Sequence, residues 1–243
     1  MSRPPSELQP QMISGRRHAP FDKALTRGKI ALAVILWAVF FVLVLSPEAK
    51  AGERIAIPEA SAIYRHRVEQ AVADVWGVNA SPARLAAQLH QESAWRPNAR
   101  YPGVGAQGIA QFMPATAKWI AQVFPDKLGQ FDPWDAQQAI LAAAIYDKWL
   151  LDRIQPLGYS RLSECTRWNF ALRGYNGGEL WLLRDRGLAV ANRGDPNDWK
   201  SVERFRTRSV SNHKQNIDYP RRILLQLEPA YIAAGWPGAA VCS

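Results

Sequence analysis

The sequence predicts a mostly helical fold, with a single domain over residues 52–243 preceded by an N-terminal apolar segment. After residue 60, apolar side chains recur every three or four positions, which is the spacing of helices that bury one face. Alternating, strand-like stretches are scarce, and no repeat or low-complexity segment divides the chain. With 243 residues, 48% of them hydrophobic, the chain can bury the core of one sizeable domain.

The N-terminal region combines a basic leader, residues 1–29, with the apolar run IALAVILWAVFFVLVL at 30–45. The sequence AKAG at 49–52 then resembles a signal-peptidase site. Residues 30–51 therefore predict either a cleaved export signal or an uncleaved anchor in the inner membrane. Because the basic flank stays inside, both alternatives place residues 52–243 in the periplasm or outside the cell.

The formal net charge of +9 favours an anionic partner, such as a lipid surface or an anionic cell-wall polymer. We expect no nucleic acid, because no run of Lys and Arg is dense enough to favour it. The histidines lack ligand spacing and two cysteines cannot form a zinc knuckle, so no metal and no cofactor are predicted. Cys165 and Cys242 both follow the export segment, and a disulfide and two free thiols remain open.

The first half of the domain shows three helices. Helical spacing over residues 61–76 ends at Gly77, a residue that commonly terminates helices. Ser81 and Pro82 are the cap and first-turn residue of a second helix that ends near Ser93. After a loop rich in Gly and Pro, a short helix is expected over about 114–123.

The second half contains the longest periodic segment, residues 132–154, whose alanines allow close helix packing. Ser163 is expected to cap a helix that stops at Gly174. Residues 184–215 are polar and punctuated by Gly and Pro, which predicts a surface loop or short helical turns. A closing helix is expected over 220–234.

Glu92 is the most informative single residue, because it shares a helix face with Leu85 and Leu89. Partial burial would favour its protonated form at neutral pH. A neutral carboxyl in a cleft can protonate a leaving-group oxygen, as the acid does in glycoside cleavage. The alternative is a carboxylate in the last helical turn that faces solvent or pairs with an arginine.

The residues after Glu92 resemble the signature of the soluble lytic transglycosylase family. The run ESAWRPNARYPGVGAQGIAQFMPATA, residues 92–117, has the family's order of Glu-Ser, aromatic, Pro, Gly-Ala-x-Gly, Gln and Met-Pro-x-Thr-Ala. FDPWDAQQAI at 131–140 and GYNGG at 174–178 are similar to two further blocks. Together these blocks define a motif core at about 80–178, and the resemblance implies a lysozyme-like helical domain.

The resemblance also implies a reaction. Family members cleave the β-1,4 bond between N-acetylmuramic acid and N-acetylglucosamine in peptidoglycan, and leave a 1,6-anhydro ring. One carboxyl serves as both acid and base, and Glu92 matches it. The positions expected to bind substrate are Ser93, Gln111, Tyr175, Asn176 and, in the less similar C-terminal part, Tyr219. Trp95 is expected to stack on a sugar.

Two other functions remain open. A hydrolytic muramidase would need a second carboxylate, for which Asp126, Asp132 and Asp135 are candidates. A non-catalytic wall-binding component could retain the cleft within an envelope-spanning assembly. In each case the expected partner is a peptidoglycan glycan strand.

Overall fold

The computed structural model describes residues 55–101, 103, 105–158 and 160–242, and these residues fold into helices joined by loops. The helices are α1 Ala60–Trp76, α2 Pro82–Ser93, α3 Pro114–Val123, α4 Pro125–Leu128, α5 Ala136–Arg153, α6 Glu164–Gly177, α7 Glu179–Ala191, α8 Trp199–Val202, α9 Val210–Arg222 and α10 Glu228–Ala233. A π-helical turn, Ile223–Leu227, joins α9 to α10. In the described residues the only β pairing consists of isolated bridges between Arg100, Gln107 and Phe112. The mostly helical fold is therefore confirmed.

Several helix ends follow local sequence signals. The Asp135 carboxylate accepts hydrogen bonds from the first-turn amides of α5, and Ser163 accepts one from the first turn of α6. Gly77 ends α1 with a φ of 87°. Ser81 differs from expectation, because its hydroxyl donates to Glu228 Oε1 at 3.3 Å and does not cap α2.

The surface loop expected at 184–215 is wrong where α7 and α9 extend into this range, while the four-residue helix α8 agrees with the alternative of short helical turns. Helix α7 continues to Ala191, and α8 follows it. Leu182 and Ala189 on α7 are fully buried in a small second core, so packing outweighs the cost of about 1 kcal/mol that Gly187 imposes within a helix. Burial against other elements makes this segment helical, and its local composition does not indicate a helix.

The expected bounds of two other helices also need correction. Helix α6 runs past Gly174 to Gly177, so GYNGG is mostly helical. The helix expected at 220–234 is the end of a longer element: α9 already begins at Val210 and contains Pro220. A proline has no amide hydrogen to donate within a helix. The π turn begins three residues after Pro220, at Ile223, so the irregular part of the helix lies close to the proline.

Helix α2 lies at the centre of the main core. It packs against α1, α5, the π turn and α10. Its residues from Ala83 to Leu89 are all buried, including the polar Arg84 and Gln88. A helix enclosed on so many sides holds its last turn, and therefore Glu92, in a defined position.

The C-terminal strap, residues 235–242, covers the start of α2. The Ala83 amide donates to Pro237 O at 3.0 Å, and Arg84 Nη2 donates to Ala239 O at 3.2 Å. A disulfide between Cys165 and Cys242, with an S–S distance of 2.04 Å, ties the strap to α6. Of the two alternatives left open by the sequence, the structure contains the disulfide.

The predicted basic leader and the export signal or anchor lie outside the described residues. Among the helices that the structure does describe, none is both long and apolar enough to cross a bilayer.

Opening the disulfide should destabilise the domain. The bond closes a loop with a sequence separation of 77 residues, and loss of a cross-link of this kind typically lowers the free energy of unfolding by about 2–5 kcal/mol. Urea unfolding of the Cys165→Ser/Cys242→Ser double variant, followed by circular dichroism, measures the loss. Reductant should lower the stability of the wild type to that of the variant and leave the variant unchanged. Equal stability of oxidised wild type and variant would contradict the expectation.

Candidate active site

Glu92 lies in the last turn of α2 with its carboxyl partly buried. The hydroxyl of Tyr219, from α9, donates a hydrogen bond to Glu92 Oε1. Burial raises the pKa of Glu92 to about 8; the Tyr219 hydrogen bond opposes this rise, and the negative charge of Asp147 adds to it. The carboxyl is therefore protonated at neutral pH and can donate its proton.

Ser93 ties the end of α2 to the motif loop, residues 94–101, 103 and 105–113. Its side chain is 2% exposed, and its hydroxyl donates to Ile109 O at 2.7 Å and accepts from the Arg96 amide at 3.1 Å. These contacts hold the loop beside Glu92. A direct contact of Ser93 with substrate stays a prediction.

Gln111 stabilises the same loop from within. Its Nε2 donates to Gly108 O at 2.7 Å and to Ala99 O at 3.1 Å. Its backbone is left-handed, with a φ of 50°, a conformation that costs a non-glycine residue about 1–3 kcal/mol and is found most often at functional sites. The loop side chain thus has a fixed orientation, which is a requirement for binding a sugar or orienting the acid.

Gly108 lets the motif loop approach the segment before α5. It has a φ of +74°, and a Cβ placed there would lie 1.8 Å from Pro133 O. Only glycine satisfies both constraints. The Gly-rich part of the motif therefore has a packing role, which the sequence did not distinguish from a role in binding.

Tyr175, on α6, reaches the motif loop from the other side. Its hydroxyl donates to Ala110 O at 2.8 Å, and its ring lies 5.9 Å from Phe112 and 5.2 Å from Tyr146 between centroids. Burial holds the pKa of Tyr175 well above its usual value, so the phenol stays neutral. Asn176 faces α9, where its Oδ1 accepts from Asn216 Nδ2 at 3.4 Å.

A buried polar network joins the two helices that carry Tyr175 and Tyr219. Arg173 Nη2 and Asp185 Oδ2 are 2.7 Å apart, and both side chains are inaccessible to solvent. Arg173 Nε also donates to Asn216 Oδ1 at 2.9 Å, while Asn216 Nδ2 returns a bond to Arg173 O at 2.8 Å. This network crosses from α6 to α9, and no pattern in the sequence indicated it.

Beside Tyr175 lies an aromatic recess of about 300 Å³, lined by Ala115, Thr116, Trp119, Tyr146, Trp149 and Glu179. The rings of Tyr146 and Trp149 are stacked, with centroids 6.0 Å apart and planes 28° apart. Partly exposed aromatic faces beside Tyr175 are a suitable surface for sugar rings.

The prediction that Trp95 stacks on a sugar is wrong. Its side chain is 1% exposed, its Nε1 donates to the Tyr231 hydroxyl at 2.6 Å, and its ring stacks on Tyr64. His90 contacts the same Tyr231 hydroxyl at 3.2 Å, and burial lowers its pKa to about 4. The left-handed backbone at Ala94 and Trp95 turns the indole back into the core.

The candidate second carboxylates are engaged in local turns. Asp132 accepts from the Trp134 amide at 2.9 Å, and Asp135 caps α5. The structure records no contact of Asp126 with the site. The second carboxyl near Glu92 is Asp147, which is 1% exposed on α5 and is not among the three candidates that the sequence suggested. Asp147 shares one helix face with the buried residues Ile140, Ala143 and Ala144. A carboxyl on an apolar helix face is the same pattern that drew attention to Glu92.

Among the described residues, no three side chains of His, Cys, Asp or Glu lie together as a metal site would require. That no ion is needed stays a prediction.

Comparison with known proteins places this geometry in a family. The profile of the transglycosylase SLT domain matches residues 73–197, about half of the chain. The membrane-bound lytic murein transglycosylase F of Shewanella denitrificans is 35% identical over 121 residues, which cover 50% of this chain and 22% of that protein. The protein of the same name from Thiobacillus denitrificans is 31% identical over 165 residues, 60% of this chain and 32% of the relative.

The fold also resembles a solved structure. The 70 kDa soluble lytic transglycosylase SLT70 of Escherichia coli superimposes with a TM-score of 0.51 and 17% identity, over 91% of this chain and 38% of that one. This chain thus spans less than a third of the length of the two sequence relatives, and at 17% identity the structural likeness concerns the fold alone. Since the SLT profile covers both α2, which carries Glu92, and the GYNGG block at 174–178, the chain belongs to the lytic transglycosylase family.

Proposed function

We propose that this protein is a peptidoglycan lytic transglycosylase that cleaves the β-1,4 bond between N-acetylmuramic acid and N-acetylglucosamine. The observation that carries the proposal is a single carboxyl, Glu92, which burial keeps protonated at neutral pH and which lies between the motif loop and the Tyr219 hydroxyl. Glu92 acts first as acid and then as base.

The reaction needs no other protein carboxylate in the cleft. Glu92 donates its proton to the glycosidic oxygen, the bond from that oxygen to C1 of muramic acid breaks, and N-acetylglucosamine leaves. The C6 hydroxyl of the same muramic acid then bonds to C1, and its proton returns to Glu92. The acetamido group can stabilise the positive charge that develops at C1. No water is consumed, and the enzyme ends in its starting protonation state.

The other site residues have positioning roles in this proposal. Tyr219 orients the Glu92 carboxyl and stabilises its anionic stage by a hydrogen bond. Tyr175 and Gln111 hold the loop against which the glycan would lie. The rings of the aromatic recess would receive neighbouring sugars. Ser93 holds the motif loop, and Asn176 contacts Asn216 on α9. Contacts to substrate are proposed for both residues.

The site of action follows from the relatives and from the predicted N-terminal segment. Curated relatives are named membrane-bound murein transglycosylases. We propose that residues 52–243 act on the wall in the periplasm, with association to the inner membrane if residues 30–51 remain attached. Participation in an envelope-spanning assembly would be compatible with this location.

Replacement of the acid should abolish turnover. Glu92→Gln removes the proton donor, and general acid catalysis alone contributes about 10²–10⁴-fold to rates of this kind. Release of soluble fragments from purified peptidoglycan measures the effect, and pelleting with wall material checks that binding persists. Glu69→Gln, which alters a solvent-accessible pair with Arg65 on α1, is the matched control. Retention of more than about a tenth of the wild-type rate would exclude Glu92 as the acid.

The pH profile should show an alkaline limit near the pKa of Glu92. The acid step requires the protonated form, and because burial raises the pKa to about 8, activity is present below that pH and declines as the pH rises through it. Tyr219→Phe removes the bond that favours the carboxylate, so the alkaline limb should move to higher pH. Initial rates from pH 5 to 10 measure both, and an unchanged or lower limb in the variant would contradict this role.

The products separate the transglycosylase from a hydrolase. A tethered C6 hydroxyl can have an effective molarity of about 10⁵ M or more, so it should outcompete water. Mass spectrometry should therefore show fragments one water lighter than those of a lysozyme, without new reducing ends. Tyr175→Phe and Gln111→Ala should slow the reaction without changing the product. Mainly reducing ends would assign a hydrolytic muramidase, while binding without cleavage would assign a wall-binding component.

A further inference from the structure

Helix α2 carries a row of polar side chains through the core. Arg84, Gln88 and Glu92 are spaced four residues apart, so they follow one another along one side of the helix. We name these three residues the polar row of α2. Such a row within a buried helix requires a partner for each member, because an unpaired buried polar group costs about 1–3 kcal/mol.

Each member of the polar row has a partner from another element. Arg84 Nη2 lies 2.9 Å from Glu228 Oε1 on α10, and both side chains are nearly inaccessible. Glu92 accepts from Tyr219 on α9. The middle member, Gln88, donates from Nε2 to Asp147 Oδ1 at 3.2 Å, on α5. Gln88 therefore holds the Asp147 carboxyl one turn of α2 away from Glu92.

Asp147 also borders a cavity of about 200 Å³ that lies among α1, α2, α5 and α6, lined by Trp76, Ala80, Ser81, Arg84, Leu85, Asp147, Leu151, Glu164 and Trp168. Two buried N–H groups in this lining, Trp76 Nε1 and Arg84 Nε, have no hydrogen-bond partner in the protein. A cavity of this size with unpartnered N–H groups and a carboxyl in its lining accommodates water molecules. Asp147 can thus exchange a proton through this cavity.

We propose that Asp147 is a positioning residue whose negative charge, held by Gln88, keeps the proton on Glu92 at alkaline pH. The proposal deepens the function proposed above, since it concerns the protonation of the same acid. Asp147 itself does not touch the substrate.

Two groups around Asp147 favour the ionisation of this carboxyl. Burial raises the pKa of Asp147 to about 8, while the Gln88 hydrogen bond and the positive charge of Arg84 both favour its anion. Glu92 has Tyr219 as its donor and no such cation acting on it. The remaining groups that face the pair are the neutral phenols Tyr146, Tyr175 and Tyr219, and Glu164 across the cavity.

The order of ionisation gives Asp147 its effect. Once Asp147 has lost its proton, its charge opposes the formation of a second anion at Glu92. The two carboxyls then titrate as a coupled pair, and Glu92 stays protonated to a higher pH than it would beside a neutral residue. The active pH range is thereby extended on its alkaline side.

Asp147→Asn tests the proposal, because it removes the charge and retains an oxygen that can accept from Gln88. The alkaline limb of the kcat/KM profile should move down by about one pH unit or more, the separation expected for a coupled pair. Asp152→Asn is the matched control, because Asp152 lies on the same helix, is 55% exposed and pairs with Lys148. The alkaline limb of this variant should not move. An unmoved limb in Asp147→Asn would overturn the proposal while leaving Glu92 as the acid.

A second variant tests the same point if Asp147→Asn does not fold. Gln88→Met removes the donor to the Asp147 anion and retains the side-chain volume. Asp147 should then ionise at higher pH, so Glu92 has an uncharged neighbour over the pH range in which it titrates. The alkaline limb of the kcat/KM profile should again move to lower pH. A limb unmoved in this variant, with thermal unfolding showing a folded protein, would likewise overturn the proposal.

Direct titration separates this proposal from the function on which it rests. Carbon-13 NMR of labelled carboxyls follows Glu92 in the wild type and in Asp147→Asn, and the resonance is assigned by its loss in Glu92→Gln. A lower Glu92 pKa in Asp147→Asn supports the coupling even if no glycan is cleaved. An unchanged Glu92 pKa excludes the coupling whatever the activity.

Discussion

The chemistry proposed for this protein depends on the burial of one carboxyl at the end of a core helix. Helix α2 is enclosed by α1, α5, the π turn and α10, and it ends where the motif loop begins. Glu92 therefore lies where water is scarce but a substrate can still approach. Desolvation is the largest contribution to its raised pKa, and the Tyr219 hydroxyl keeps the carboxyl in one orientation.

The surrounding elements maintain this arrangement through polar contacts inside the fold. Arg173, Asp185 and Asn216 join α6 to α9, so that the helices bearing Tyr175 and Tyr219 keep their separation. On the opposite side, the C-terminal strap and its disulfide cover the start of α2 and the Arg84–Glu228 pair. Buried pairs of this kind are costly to disrupt singly, because each leaves an uncompensated charge.

Sequence patterns predicted the parts of the fold that local chemistry controls. Helix α2, the α5 segment and the short helix at 114–123 were predicted from the sequence, and the start of α6 from its cap Ser163. Helix α7 was missed because its helical state depends on burying Leu182 and Ala189 against other elements. Trp95 was misplaced because two left-handed residues, which no local pattern indicated, turn it inward.

By itself the sequence predicted the fold class, the family and Glu92 as the candidate acid, because each depends on residue order within one segment. The acid role proposed for Glu92 came from its place in the Glu-Ser motif of residues 92–117, because the face shared with Leu85 and Leu89 alone left a carboxylate that faces solvent or pairs with an arginine open. Only the tertiary structure decided which distant residues meet it: Tyr219 across 127 positions, and Asp147 through Gln88 across 59. Those contacts set the protonation of the acid, since desolvation and neighbouring charge act through space and leave no mark on spacing along the chain.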